Sequence, residues 1–480
     1  MALEGAMTAI PAASGREPGQ ILARQRAAFL RDGPPPLKQR LVDLGKIRSA
    51  VLARRADIER AVDADFGHRS RHETAAMELM TLVQGIDYLH CNLRRFMAPA
   101  RRRVALTFRF ASARVEYQPL GVIGVIAPWN YPLSLALMPL ATAIAAGNRA
   151  MLKPSEFTPE TSRLLAAMLA DTFPEEQVAV VTGDAAVGAA FASLPFDHLL
   201  FTGSTAVGRA VMRAASENLV PVTLELGGKS PVIVAPGHAH DRTAASIAFG
   251  KLANAGQTCI APDYAMVHAD ETKAFVAAYG RAVEALYPDG PASVDYTSII
   301  NDRHFERLRR LVDDARARGA WIVEAGKRPE TAPGRLRTFA PTLVLGATDD
   351  MAIMQEEIFG PVLPVLAYGE IDEAVAYVNA HPRPLALYYF GGDDAGRRKV
   401  LSRTTSGNVG INNTLMHYAQ DDLPFGGVGA SGMGAYHGLE GFRRMSHAKG
   451  IYAQGRWNAA DLMRAPFGRL ADAVLAWMLR

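Results

Sequence analysis

One of only two cysteines in 480 residues, Cys259, lies in Asn254-Ala255-Gly256-Gln257-Thr258-Cys259-Ile260-Ala261-Pro262, among small and polar neighbours. A structural thiol behaves as a small hydrophobe and usually sits among large apolar residues. Gly256 permits close backbone approach, and the run from Thr243 to Asn254 reads as a helix ended by Ala255-Gly256. Cys259 then falls in the turn after a helix, with backbone N–H groups near its sulfur. That setting suits a nucleophilic thiolate. Taken alone, an incidental packed thiol is the commoner fate of a lone cysteine.

Other residues could serve such a nucleophile. Glu225, in Leu224-Glu225-Leu226-Gly227-Gly228, is flanked by leucines, and burial would raise its pKa toward that of a general base at neutral pH. The alternative is a strand carboxylate facing water. Asn130 follows Pro128-Trp129 and offers a carboxamide N–H to a developing oxyanion, or else only caps the next helix. The turn Phe201-Thr202-Gly203-Ser204, with Gly208 beyond it, opens a helix whose N-terminus could take a pyrophosphate. It lacks the G-x-G-x-x-G spacing, and any tight strand-to-helix turn has the same look. Lys153-Pro154-Ser155-Glu156 pairs a cation and a carboxylate of the kind that clasp ribose hydroxyls; separately each reads as a surface charge.

These residues need elements to hold them. Glu17 to Phe66 is helical in pattern, interrupted at Gly33-Pro34-Pro35-Pro36, and a second helical run spans Thr74 to Phe96. After the arginines 101–103, the alternation in Val104 to Phe110 predicts a strand with one wet face, in a subunit-contact hairpin rather than an anionic-surface contact. Apolar runs at Val122–Ile126, Arg149–Lys153, Val178–Val181 and Leu199–Thr202 then alternate with helical stretches, the signature of a parallel, doubly wound sheet. Such a sheet binds ligands at the carboxyl ends of its strands, where Asn130, Lys153 and Gly203 fall. From Glu225 to about Val428 the α/β pattern resumes, with strands at 232–234, 264–267, 342–345, 362–365 and 387–390, which predicts a second α/β domain. The last segment, Ala459 to Arg480, spaces Leu462, Met463, Phe467, Leu470, Val474, Leu475 and Met478 along an amphipathic helix that docks on protein more readily than on a membrane.

Length alone predicts more than one domain. A net charge of +4 is too small at this length to point to nucleic acid or a membrane surface. Cys91 and Cys259 form no disulfide framework and have no metal-ligand spacing, so no metal and a reducing cytoplasm are expected. The first residues show no signal-peptide pattern. The uncharged stretch from Tyr117 to Asn148 is long enough to span a bilayer, but Pro119, Pro128, Pro132 and Pro139 break it into a strand, a turn and a helix.

Six ordered strings resemble the signature set of aldehyde dehydrogenases: Pro128-Trp129-Asn130, Lys153-Pro154-Ser155-Glu156, Phe201-Thr202-Gly203-Ser204, Leu224-Glu225-Leu226-Gly227-Gly228, Gly256-Gln257-Thr258-Cys259 and Glu356-Glu357-Ile358-Phe359-Gly360-Pro361. The resemblance runs from about Gln25 to Tyr452, and 259 − 225 = 34 matches the family's spacing of base and nucleophile. The glycine-rich run from Leu423 to Gly438 resembles the class-three branch, whose members favour aromatic and longer aliphatic aldehydes. Asp65-Phe66-Gly67-His68-Arg69-Ser70, His72-Glu73-Thr74 and Thr258 to Tyr264 are similar to bacterial coniferyl aldehyde dehydrogenases.

The resemblance implies two doubly wound α/β domains with a β-hairpin oligomerisation arm. Residues 20–100 and 120–224 would bind the dinucleotide, 225–428 would form the catalytic domain, 101–119 and 429–455 the oligomerisation elements, and 456–480 a C-terminal helical tail. It implies oxidation of an aldehyde to the acid with NAD, NADP being the possible alternative. Cys259 would form a thiohemiacetal and then a thioester, Asn130 with the Cys259 N–H would hold the oxyanion, and Glu225 would activate water. Lys153 and Glu156 would hold the adenosine ribose, Ser204 the pyrophosphate and Glu357 the nicotinamide ribose beside Phe359. Trp129, Ser155, Gly203, Gly208 and Leu226 would complete the cofactor site. Met416, His417 and Tyr418 would line the substrate pocket. A homodimer is implied, with no nucleic-acid partner. A coenzyme A-acylating dehydrogenase and a thiol esterase without a redox step are the competing readings.

Overall fold

The computed structural model describes residues 17–105, 108, 110–327, 335–458 and 464–479. Helices Pro18–Asp32, Leu37–Ala53 and Arg55–Phe66 open the chain as their apolar spacing predicts, the first ending at Gly33 with φ +69°. The helical run before the arm begins at Arg71. Its segment Thr74–Met80 is π-helical and continues into the α-helix Thr81–Phe96.

In chain order the strands are β1 (Ala100–Arg102), β2 (Ser112–Pro119), β3 (Val122–Ile126), β4 (Arg149–Lys153), β5 (Val178–Val180), β6 (His198–Gly203), β7 (Val222–Leu226), β8 (Pro231–Val234), β9 (Tyr264–His268), β10 (Trp321–Glu324), β11 (Thr342–Leu345), β12 (Val362–Tyr368), β13 (Ala386–Phe390), β14 (Asn408–Ile411), β15 (Gly432–Met433) and β16 (Ser446–Ala453). They form three sheets. The first has the order β15-β7-β6-β3-β4-β5, parallel except for β15. Its strand order reverses between β3 and β6, the place where a doubly wound sheet binds its ligand. The second, β10-β11-β12-β9-β8-β13-β14, is parallel except for β10. β1, β2 and β16 make a separate antiparallel arm.

Every residue of β3, β7, β8 and β13 is buried; β3, β8 and β13 are apolar runs covered on both faces, whereas β7 carries Thr223 and Glu225 into the interior. The uncharged stretch from Tyr117 to Asn148 resolves into the end of β2, β3 and the buried helix Ser134–Ala145. No helix among the described residues is long and apolar enough to cross a membrane.

Three expectations need correction. Of the strand expected over 104–110, residues 106, 107 and 109 lie outside the described residues; the described residues 104, 105, 108 and 110 are not in a strand, and Ala111 N–H donates to the Phe108 carbonyl. Its aromatics are exposed rather than paired against a core. The boundary expected between 224 and 225 falls inside β7, so Glu225 belongs to the first sheet; the chain changes sheet between Leu226 and Pro231. Within 429–455, β15 pairs with β7 and only β16 joins the arm. The terminal amphipathic pattern is helical over Arg469–Met478, with Ala471 buried and Leu470, Trp477 and Met478 exposed; Leu462 and Met463 lie outside the described residues.

Candidate active site

The site forms where the carboxyl edge of the first sheet meets the amino edge of the second. Asn130 follows β3, Glu225 is on β7, and Cys259 precedes β9, while Asp263 N–H donates to the Ser230 carbonyl at 2.8 Å where β9 starts beside β8. The sulfur thus enters from the amino edge of its own sheet, not from a strand's carboxyl end.

Cys259 is half-buried, and its thiol donates to Glu225 Oε1 at 3.6 Å. Burial, followed by the negative charge of Glu225, pushes the thiol well above its ordinary pKa, and the Cys259 backbone N–H opposes that shift. Glu225 is 1% exposed, and burial raises its carboxyl to about 7. The hydroxyls of Tyr436 and Thr202 lie beside it and favour its charged form. Yet Glu225 Oε2 and both hydroxyls are buried without a completed hydrogen bond. Those open valences are the ones an incoming water would fill.

The turn before Cys259 has unusual backbone. After the helix Asp241–Leu252, Asn254 and Ala255 take φ of 52° and 51°, and Gly256 follows at 76°. The sequence explains only the glycine, whose Cβ would strike the Gly360 carbonyl. Left-handed geometry costs a non-glycine residue roughly 1–2 kcal/mol, so tertiary contacts must impose it. Asn254 N–H donates to Glu73 Oε1 at 3.0 Å, and its carboxamide donates to the carbonyls of Asn130 (3.0 Å) and Gln257 (3.1 Å). Gln257 bonds the Asn254 and Ser298 carbonyls and accepts from Ile300 N–H. Asn130 Nδ2 donates to the Gln257 carbonyl at 3.1 Å, which leaves one carboxamide proton free. Asn130 is therefore no helix cap: the N–H groups of Leu133 and Ser134 go to Glu78 Oε2 instead.

Lys153, Gly203 and Leu226 end β4, β6 and β7 at the carboxyl edge of the first sheet. Ser204 caps the helix Thr205–Ser216 by accepting from Val207 N–H, with its N-terminus exposed. Gly203 and Gly208 allow close packing: a Cβ on Gly203 would lie 2.6 Å from the Phe201 ring, and one on Gly208 would lie 2.6 Å from Leu226. Leu226 thus packs beneath that helix. Lys153, 3% exposed, donates to Glu156 at 2.7 Å. Ser155 Oγ accepts from Phe157 N–H and so holds its own turn. Glu357 is raised to about 8, first by burial and then by Asp263, and its carboxylate lies against Gly227 so closely that a Cβ there would overlap it. Phe359, at φ +50°, packs edge-on to Trp129 at 5.4 Å. An anion-ready helix end, a Lys–Glu clasp and a glycine-lined carboxylate fit the pyrophosphate and two riboses of a dinucleotide.

Of the pocket residues, Tyr418 is brought against Phe425 (4.9 Å) and His437 (5.0 Å), close enough to Glu225 to feel its charge. His417 is half-buried and stacks on Phe425, with burial lowering its pKa to about 4. Met416 is exposed. Tyr436, Thr202, the buried pair Arg69 and Glu78, and the half-buried Glu73 were not singled out from sequence for these positions. Arg69 and Glu73 sit within a recognised string, but nothing in their spacing points 61 or 181 residues onward to Asn130 and Asn254.

Residues 3–451 match the model of the aldehyde dehydrogenase family. The chain is 53% identical over 449 residues to a probable coniferyl aldehyde dehydrogenase of Pseudomonas aeruginosa, covering 94% of this chain and 93% of that one. It superposes on a substrate-bound Staphylococcus aureus AldH with a TM-score of 0.90 at 36% identity, covering 96% of this chain and 100% of that one. It also superposes on a Mycobacterium tuberculosis aldehyde dehydrogenase complexed with NAD+, with a TM-score of 0.81 at 30% identity, covering 90% and 88%.

Proposed function

The chain belongs to the aldehyde dehydrogenase family and oxidises aldehydes to acids with NAD; from that premise we propose that Cys259 is the nucleophile, Glu225 the general base, Asn130 the oxyanion donor, and an aromatic aldehyde of the coniferyl type the substrate. The observation that carries this reading is the 3.6 Å contact between the Cys259 thiol and a buried carboxylate poised near neutrality.

Glu225 takes the thiol proton along that contact and passes it to solvent. The sulfur attacks the aldehyde carbon, and the resulting oxyanion is met by the free Asn130 carboxamide proton and the Cys259 N–H. Bound NAD supplies the acceptor for the hydride of the aldehyde carbon. A thioester then remains on sulfur. Glu225, ionised again, takes a proton from the attacking water, and the tetrahedral adduct collapses to the acid. The same proton is available to the departing sulfur. A buried carboxylate with a pKa of about 7 is matched to both transfers. A coenzyme A-acylating enzyme would not need this base.

The aromatic substrate class is supported by the 53% identity to the Pseudomonas aeruginosa protein and by the aromatic wall of Tyr418, Phe425 and Tyr436 beside Glu225. Lys153 with Glu156 would hold the adenosine ribose, Ser204 and the helix end behind Gly203 the pyrophosphate, and Glu357 the nicotinamide ribose. The Glu156 carboxylate would repel a 2′-phosphate, favouring NAD over NADP. We also assign the dinucleotide to the body built on the first sheet and the thiol chemistry to the second, a cytoplasmic location, and a homodimer formed through the arm, where β16 is an edge strand among the described residues. Intact-mass spectrometry during turnover of a cinnamyl aldehyde tests the core of the reading. The acyl group is expected on Cys259; an adduct elsewhere, or wild-type NADH production by Cys259→Ala, overturns it.

A further inference from the structure

We propose that Arg69, paired with Glu78, is a positioning residue that sets the orientation of Asn130 for the acylation step, an inference that rests on the oxyanion role assigned to Asn130 above. The pair is fully dry: both side chains are 0% exposed, with Arg69 Nη1 3.3 Å from Glu78 Oε1. The guanidinium is sandwiched between the rings of Phe66 and Tyr131, each centroid 4.8 Å away. Its Nη1 donates to the Asn130 carbonyl at 2.9 Å. Glu78 Oε2 accepts from Leu133 N–H at 2.8 Å and Ser134 N–H at 3.1 Å. One ion pair therefore grips the segment Asn130–Ser134 at both ends.

Stability does not explain the arrangement. Burying a carboxylate and a guanidinium costs about as much as their attraction returns, and an apolar pair of similar volume often serves folding as well. Arg69 Nε and Nη2, like Glu78 Oε1, make no hydrogen bond to the described residues. The geometry it enforces is specific instead. The Asn130 carbonyl accepts from Arg69 and from the Asn254 carboxamide, so the peptide plane cannot rotate without breaking two bonds. Tyr131, beneath the guanidinium, hydrogen-bonds Thr258 at 2.7 Å, the residue before the nucleophile.

The π-helical turn makes this possible. Glu73 and Glu78 are five residues apart, which on an α-helix would set them about 140° apart around the axis. The i→i+5 winding of Thr74–Met80 brings positions five apart toward one face. Glu73 then reaches Asn254 N–H while Glu78 reaches Arg69 and the Asn130 segment. The two sides of the reacting centre are held from a single turn.

The test is a double-mutant cycle read by single-turnover NADH formation from cinnamaldehyde and NAD. Arg69→Met/Glu78→Gln removes both buried charges and so preserves folding; Arg69→Lys keeps the cation but not the fork that reaches the carbonyl. Both are expected to slow acylation about tenfold or more, since an ångström of misplacement can cost ~10²-fold, with NAD affinity and thermal midpoint little changed. On an Asn130→Ala background the same substitutions should change the rate less than about twofold, because the group they position is gone. Wild-type acylation by a folded Arg69→Met/Glu78→Gln protein overturns the proposal, as does a tenfold loss that persists without the Asn130 carboxamide. If Asn130→Ala alone acylates at the wild-type rate, the oxyanion assignment itself is refuted, and that result is read independently of Arg69.

Discussion

Replacing Glu225 by Gln keeps the shape of the side chain and removes its capacity to accept a proton. The two half-reactions should respond differently. Thioester hydrolysis loses its general base, an effect of about 10²–10⁴-fold, or roughly 3–5 kcal/mol of barrier. Acylation loses a proton acceptor 3.6 Å from the sulfur, but it also loses the negative charge that, after burial, does most to hold the thiol protonated. Those changes oppose each other, so acylation survives better than hydrolysis. In stopped-flow mixing with NAD and an aromatic aldehyde, the variant is expected to release about one NADH per active subunit and then nearly stop. The wild-type steady rate should rise with pH through about 7, because Glu225 is half ionised there, and level off above it. The Gln variant should lack that limb. A linear progress curve at the wild-type rate would refute the assignment. It would turn attention to Glu357, the second carboxylate whose charge reaches Cys259 and whose own pKa is raised to about 8.

Three other outcomes follow from the same geometry. Tyr436→Phe removes a hydroxyl that favours the charged form of Glu225, so the carboxyl pKa rises and the pH–rate limb moves to higher pH; an unmoved limb would show that the hydroxyl does not touch the base. Glu156→Gln frees Lys153 from its carboxylate partner and removes repulsion of a 2′-phosphate, so the kcat/KM ratio for NADP over NAD should rise by roughly tenfold; no change would remove Glu156 from the ribose site. Gly256→Ala forces a Cβ onto the Gly360 carbonyl at φ +76°, and should lower stability by more than about 1 kcal/mol and slow acylation. A wild-type melting curve with wild-type turnover would contradict that packing.

What could be read from sequence was what is local. β3, β8 and β13 are continuous apolar runs, and β4 and β6 have apolar centres, because both faces of a parallel strand are covered. β10, β14 and β16 were not legible: they are edge strands of mixed composition, and β15 has only two residues beside β7. Glu225, Asn130 and Cys259 could each be nominated from their neighbours, but not their mutual geometry. Near Phe108, alternation did not mark a strand at the described residues, because it also fits a segment whose aromatics, Phe108 and Phe110, stay exposed. Nothing local in Asn254-Ala255 marks two left-handed residues, since neither is glycine.

That last failure shows where the site's order comes from. A turn that costs its residues conformational energy persists only if its surroundings over-determine it. Asn254 is held by Glu73 from the amino-terminal helices and by the Asn130 carbonyl at the edge of the first sheet, while Gln257 is held by Ser298 and Ile300 and Gly256 lies against Gly360. Four chain segments, remote in sequence, converge on six residues. The Cys259 turn is therefore held by contacts from remote segments, and, if Cys259 is the nucleophile proposed above, a substitution that loosens them should reduce acylation before it unfolds either sheet.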